Sequence, residues 1–156
     1  MGHPPFQSSA GRDSHEQLRI TLSVTPCQGL LEEARQDVSL GRWRSALDNS
    51  QLAVEHAAKA VLALLGPVGR THNPAVHLRE ALAKGRFDPA QAPAVQALTE
   101  KAELLGPDVH IQTDYGDEIG GLTPWELFDE NDARQALALA EEAVTLAVQI
   151  IQEGES

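Results

Sequence analysis

From Arg42 to Leu65 the chain reads RWRSALDNSQLAVEHAAKAVLALL, and its apolar positions recur three and four residues apart. Trp43, Ala46, Leu47, Val54, Ala57, Ala58, Val61, Leu62 and Leu65 therefore lie on one stripe of an α-helix. Ala46, Ala53, Ala57, Ala58 and Ala60 favour the helix intrinsically and leave room for a neighbouring helix to come close. Beside the apolar stripe runs a polar one, Asp48, Gln51, Glu55 and Lys59, at the same spacing. At about 1.5 Å per residue such a helix reaches roughly 35 Å, the full height of a small bundle.

Similar periodicity predicts four more helices. Thr25 suits an N-cap, Pro26 the first helical position, and Gln28 completes a capping box. Leu30, Leu31, Ala34 and Val38 then give a buried stripe, and Gly41 ends the helix and turns the next one back antiparallel. Gly66-Pro67 stops the long second helix. A short third helix is expected from Pro74 to Lys84, with Val76, Leu78 and Ala81 or Leu82 inward and Gly85 closing it. A fourth should run from Pro89 or Pro93 to Leu105, burying Val95, Leu98, Ala102 and Leu105. After Gly106-Pro107 a brief helix through Val109 and Ile111 gives way to the glycine-rich connection DYGDEIGGLTPWELF. The last helix starts near Asp129 to Asn131, where acidic residues complement the positive end of the helix dipole. Its stripe is Ala133, Ala136, Leu137, Ala140, Ala143, Val144, Ala147, Ile150 and Ile151.

The predicted fold is all-α: an antiparallel up-and-down bundle of four long helices plus one short, over residues 25–153. Residues 1–24 form a flexible or extended N-terminal arm. Within it Leu18, Ile20, Leu22 and Val24 alternate with polar residues as in a strand. In a helical protein such a segment either lies along the bundle or pairs across a dimer. The stretch LGRWRSALDN also has the look of a tetratricopeptide hairpin, but no second copy follows near residue 75 or 110, as a period of about 34 residues would require.

Composition narrows the class. The 156 residues are 42% hydrophobic, enough for one domain with a core of its own. A single cysteine, Cys27, excludes a disulfide framework and a multi-cysteine zinc site. Cys27 falls in the first turn of a helix, where a thiol pKa tends to drop, yet no basic residue stands beside it to make it a nucleophile. Twelve Lys and Arg against 23 Asp and Glu give a net charge of −11. With no basic run, general nucleic-acid binding is disfavoured. No apolar run is long enough for a membrane span, and MGHPPFQSSAGRDSHEQ lacks a basic start and an apolar core, so a cytoplasmic location is expected.

The second helix resembles the HEPN domain of prokaryotes. The pattern is an aromatic after glycine, then Q-x-A-V-E-x-A-x-K-A, here Gly41, Trp43, Ala46, Gln51, Ala53, Val54, Glu55, Ala57, Lys59 and Ala60, with Leu62 following. His72 and Leu78 stand where that family often opens its third helix. The segment from Ile111 to Asp117 is similar to its I-x-T-R-Y-P-D, and Asp132 to Leu137 to its D-A-E-E-A-L. The resemblance spans roughly residues 27–152. It implies an up-and-down bundle that forms a homodimer, paired in many cases with a minimal nucleotidyltransferase, as toxin and antitoxin or as a nucleotide-binding subunit. Gln51, Glu55 and Lys59 match family positions facing the cleft between helices. Asp114 and Tyr115 fall near the dimer cleft, where they would contact a ligand or partner. The competing reading of Gln51, Glu55 and Lys59 is a solvated face with Glu55 four residues before Lys59, worth a few tenths of a kcal/mol.

Some HEPN proteins are metal-independent ribonucleases that use an arginine and, after a short spacer, a histidine. Here Asp114 occupies the arginine position and no histidine follows Tyr115, which reverses the charge that would steady a phosphate. The one pair at that spacing, Arg70 and His77, lies elsewhere in the chain. The expectation is a binding protein without its own catalytic centre, holding no cofactor or metal and taking a nucleotide such as ATP, a nucleotidyltransferase-type partner, or both. A degenerate or unusual ribonuclease is the alternative. His72 and His77 lack the further ligands a metal would need. His56 reads as a surface or interface residue. Trp125 and Phe128 suit capping the core better than stacking on a base.

Overall fold

The computed structural model describes residues 24–106 and 128–154, and in these it is helical with no strand. Five helices follow in order: α1 (24–39), α2 (Trp43–Leu62, extended by a 3₁₀ turn Ala63–Leu65), α3 (Pro74–Ala83), α4 (Ala92–Leu104) and α5 (Glu130–Glu153). The strand-like arm up to Ser23, the connection from Asp114 to Leu127 and the brief helix through Val109 and Ile111 lie outside the described residues, and the arm's last residue, Val24, is helical and not extended.

Val24 is already helical and buried, so Thr25 stands inside α1 and not at its cap. Val24, Cys27, Leu31, Ala34 and Val38 face the core at steps of three and four. α1 stops at Gly41, whose φ of 72° suits a residue without a Cβ. Arg42 N–H then donates to the Asp37 carbonyl (2.8 Å) and Gly41 N–H to the Val38 carbonyl (3.2 Å), the paired bonds of a Schellman end. The same device closes α3, with Gly85 at φ 66° and Arg86 N–H on the Ala81 carbonyl at 3.0 Å. α5 begins with a reciprocal cap. Asp129 Oδ1 accepts from Asp132 N–H at 2.9 Å, and Asp132 Oδ2 accepts from Asp129 N–H at 3.2 Å.

Among α2 to α5 the most extensive contact is between α2 and α5. The two run parallel, since Ala133 in the first turn of α5 clusters with Ala46 in the first turn of α2. Both faces are rich in alanine: Ala46, Ala53, Ala57 and Ala60 on α2, and Ala133, Ala136, Ala140, Ala143 and Ala147 on α5, all buried. α1 runs against α5, with Arg35 Nε 3.3 Å from Glu141 Oε1. α4 also runs against it, with Gln91 Nε2 donating to the Ile150 carbonyl at 3.1 Å and Lys101 Nζ 3.2 Å from Glu142 Oε2. Successive long helices α1, α2, α4 and α5 thus alternate in direction, as an up-and-down bundle requires.

The short helix α3 returns alongside α2 and pairs with α4. Its inward residues are Ala75, Leu78 and Ala81, with Leu82 half-buried, whereas Val76 is exposed, contrary to the expected stripe. The difference is one of phase: Pro74, Ala75, Leu78 and Ala81 share a face, and Val76 falls about 100° further round the helix from Ala75. Phe128 packs against the core as expected. Ala140→Leu should lower the unfolding free energy by about 1–3 kcal/mol through overpacking the α2–α5 seam. Ala138→Leu, on the exposed face of the same helix, should stay within about 0.5 kcal/mol. Urea midpoints of the two variants check this, and equal effects would count against the close seam.

Candidate functional site

α2 is buried around most of its circumference, Gln51 and Glu55 of the polar stripe included, with Asp48 and Lys59 half-buried. Gln51 is 2% exposed and Glu55 7%, so the solvated-face reading does not hold for these two. The cause is tertiary. α5 covers one side of α2, while the start of α3 and the end of α4 cover the side that carries Gln51 and Glu55. A small cavity remains there, lined by Gln51, Val54, Glu55, His72, Pro74 and Leu105 among others. Its volume of about 10 Å³ is room for roughly one water.

Glu55 is the hub of this cleft. Its Oε2 accepts from Lys59 Nζ at 3.4 Å, and its Oε1 lies 3.8 Å from His72 Nδ1. The three residues differ sharply in exposure: the Glu55 side chain is 8% exposed, that of Lys59 26% and that of His72 93%. A buried carboxylate is therefore linked to the surface by one ammonium and one imidazole. A charge so placed is held by its partners, because burying it alone would cost several kcal/mol. Among the described residues Gln51 Oε1 and Ser50 Oγ, both buried, have no hydrogen-bond partner. Interiors rarely leave such groups unpaired.

A second polar cluster joins α1 to α2. Asp37, buried although charged, accepts from Asn49 Nδ2 at 2.8 Å and lies 3.9 Å from Arg42 Nη1. It ties the last turn of α1 to the second turn of α2. Sequence reasoning missed it, since Asp37 reads as one of many surface acids of the first helix.

The chain belongs to the HEPN family. The HEPN domain model matches residues 28–151, four-fifths of the sequence. No curated protein matches the chain. Among solved structures it is similar to the crystal structure of TT1696 from Thermus thermophilus, with a TM-score of 0.63 at 20% identity, covering 85% of this chain and 98% of that one. At that identity the likeness is one of fold.

Of the expected site residues, Gln51 and Glu55 line the cleft, and Lys59 is joined to it through its ion pair with Glu55. Asp114 and Tyr115 lie outside the described residues, as does Trp125. Arg70 and His77 line a different and larger cavity, between the end of α2, the loop 66–73 and α3. Lys84 and Arg86 share that lining, and nothing in their sequence positions singles them out. The chain folds back between residues 70 and 84, so the grouping exists only in three dimensions.

Cys27 differs from expectation. It is fully buried and its Sγ donates to the Val24 carbonyl at 2.9 Å. Burial pushes its pKa up, outweighing the backbone hydrogen bonds that lower it. The neutral thiol is the folded form. Its contribution to stability is full below the ordinary thiol pKa and fades as pH rises through the raised value. In native protein a thiol reagent such as DTNB should modify Cys27 at least about 100-fold more slowly than in denaturant. Comparable rates would mean that the first turns of α1 open freely.

Proposed function

We propose that this HEPN protein is a binding protein without a catalytic centre of its own. It takes a nucleotide, a nucleotidyltransferase-type partner, or both, acts as a homodimer, and belongs to a pair of the toxin–antitoxin kind. The observation that carries the reading is the cleft around Gln51 and Glu55, where two members of a polar stripe are drawn inside, Lys59 reaches Glu55 from the rim, and the Gln51 side-chain oxygen has no partner among the described residues. A stripe kept only for helix stability would be left in water. Its surface end, Lys59 and His72, is what a partner would meet first. At about one water in volume, the cleft would admit a nucleotide only after loop 66–73 moved away from α2.

The alternative, a HEPN ribonuclease of unusual layout, has one observation in its favour: Arg70 and His77 line the same cavity. Both groups are exposed there. Against it stand the acidic balance of the chain, which opposes RNA binding, and the aspartate at position 114.

Two measurements separate the readings. Purified protein incubated with total RNA should leave it intact, and cleavage that disappears in both Arg70→Ala and His77→Ala would replace the binding reading with the enzymatic one. In a pull-down with a minimal nucleotidyltransferase encoded beside this chain, wild-type protein should be retained. Lys59→Ala should weaken retention by about tenfold, the loss expected for one charge-assisted contact. Unchanged retention in Lys59→Ala and Glu55→Ala would move the partner surface away from the cleft.

A further inference from the structure

The larger cavity has a charge pattern unlike the rest of the molecule. Arg35, Arg42, Lys59, Arg79, Lys101 and Arg134 each stand against a carboxylate. Arg70, Lys84 and Arg86 have no carboxylate partner among the described residues, and all three line this one cavity. In a chain carrying −11 overall, three cations without carboxylate partners at one place are a local reversal of sign. Glu80 is the one carboxylate of the lining, so three cations against one anion leave a net charge of +2 with His77 neutral.

Two of the cations also have structural duties. Arg86 Nη2 donates to the Leu65 carbonyl at 3.2 Å, closing the 3₁₀ turn after α2. Lys84 is the C-cap of α3, where a cation complements the dipole. Arg70 has neither duty. It projects from a loop, exposed, and helix stability gives no reason for its charge.

We infer that this cavity is an anion site for the phosphate group of a small molecule. A net charge of +2 matches the charge of about −1.5 to −2 of a phosphate monoester near neutral pH, and guanidinium forks suit its oxygens. The volume of about 440 Å³ lies inside the range of roughly 300–1,000 Å³ usual for ligand pockets and exceeds what bare phosphate fills. The lining also includes the apolar residues Leu62, Leu65 and Val68, which suits a phosphate carried on an organic body. The site is distinct from the Glu55 cleft and stands whether or not that cleft binds anything.

Calorimetric titration of the full chain at low ionic strength with inorganic pyrophosphate, AMP, ATP and adenosine tests the inference. The phosphorylated ligands should bind, adenosine should not, and affinity should fall as salt rises. Tighter binding of ATP than of pyrophosphate would identify an esterified phosphate as the source, and equal binding a free one. The double variant Arg70→Gln/Lys84→Gln should lose at least about tenfold in affinity, while Glu80→Gln should gain and Arg134→Gln should match wild type. Absence of binding at millimolar ligand would overturn the site. So would full affinity in the double variant. Binding lost in Glu55→Ala but kept in the double variant would assign the phosphate to the cleft instead.

Discussion

The close seam between α2 and α5 is the contact on which the other placements rest. Two parallel helices come together along faces made largely of alanine, so their backbones approach without large side chains to interlock. Parallel dipoles gain nothing from lying side by side. The seam is held by burial and dispersion across many small contacts. The larger residues, Val54, Val61, Leu78, Leu98, Ile150 and Ile151, fill the space where the remaining helices meet this pair.

The burial of Gln51 and Glu55 comes from the other side of α2. A helix packed on one side shows a solvated face, but α2 is enclosed by α5 on one side and by α3 and α4 on another. Gln51 and Glu55 are consequently carried inside, and Glu55 must be accompanied by Lys59 and His72. The loop 66–73 serves both features of the molecule. It returns His72 to Glu55, and on its way it places Arg70 over the end of α2. One short return thus closes the Glu55 cleft at its far end and builds a basic rim at its near end. The two regions are separated by about two turns of α2, from Glu55 to Leu62, roughly 10 Å.

Family membership accounts for the bundle and leaves the chemistry to be argued from particular groups. The described residues supply a helical frame with a charged interior cleft and a separate cationic pocket.

The sequence by itself determined which segments are helical, because alanine-rich stretches at three- and four-residue spacing admit little else, and because Gly41 and Gly85 stop their helices by a local backbone device. It also determined the inward faces of α4 and α5, where large and small apolar residues mark one side. It left the phase of α3 open: Ala75 and Val76 are both apolar, and only packing against α2 and α4 chose Ala75. It left the environment of Gln51 and Glu55 open as well, since alanine neighbours are equally at ease in a core and on a surface. Those choices, and the convergence of Arg70, Lys84 and Arg86, belong to the tertiary structure. Periodicity reports which residues share a face of one helix, and only the neighbours of that helix decide whether the face meets water.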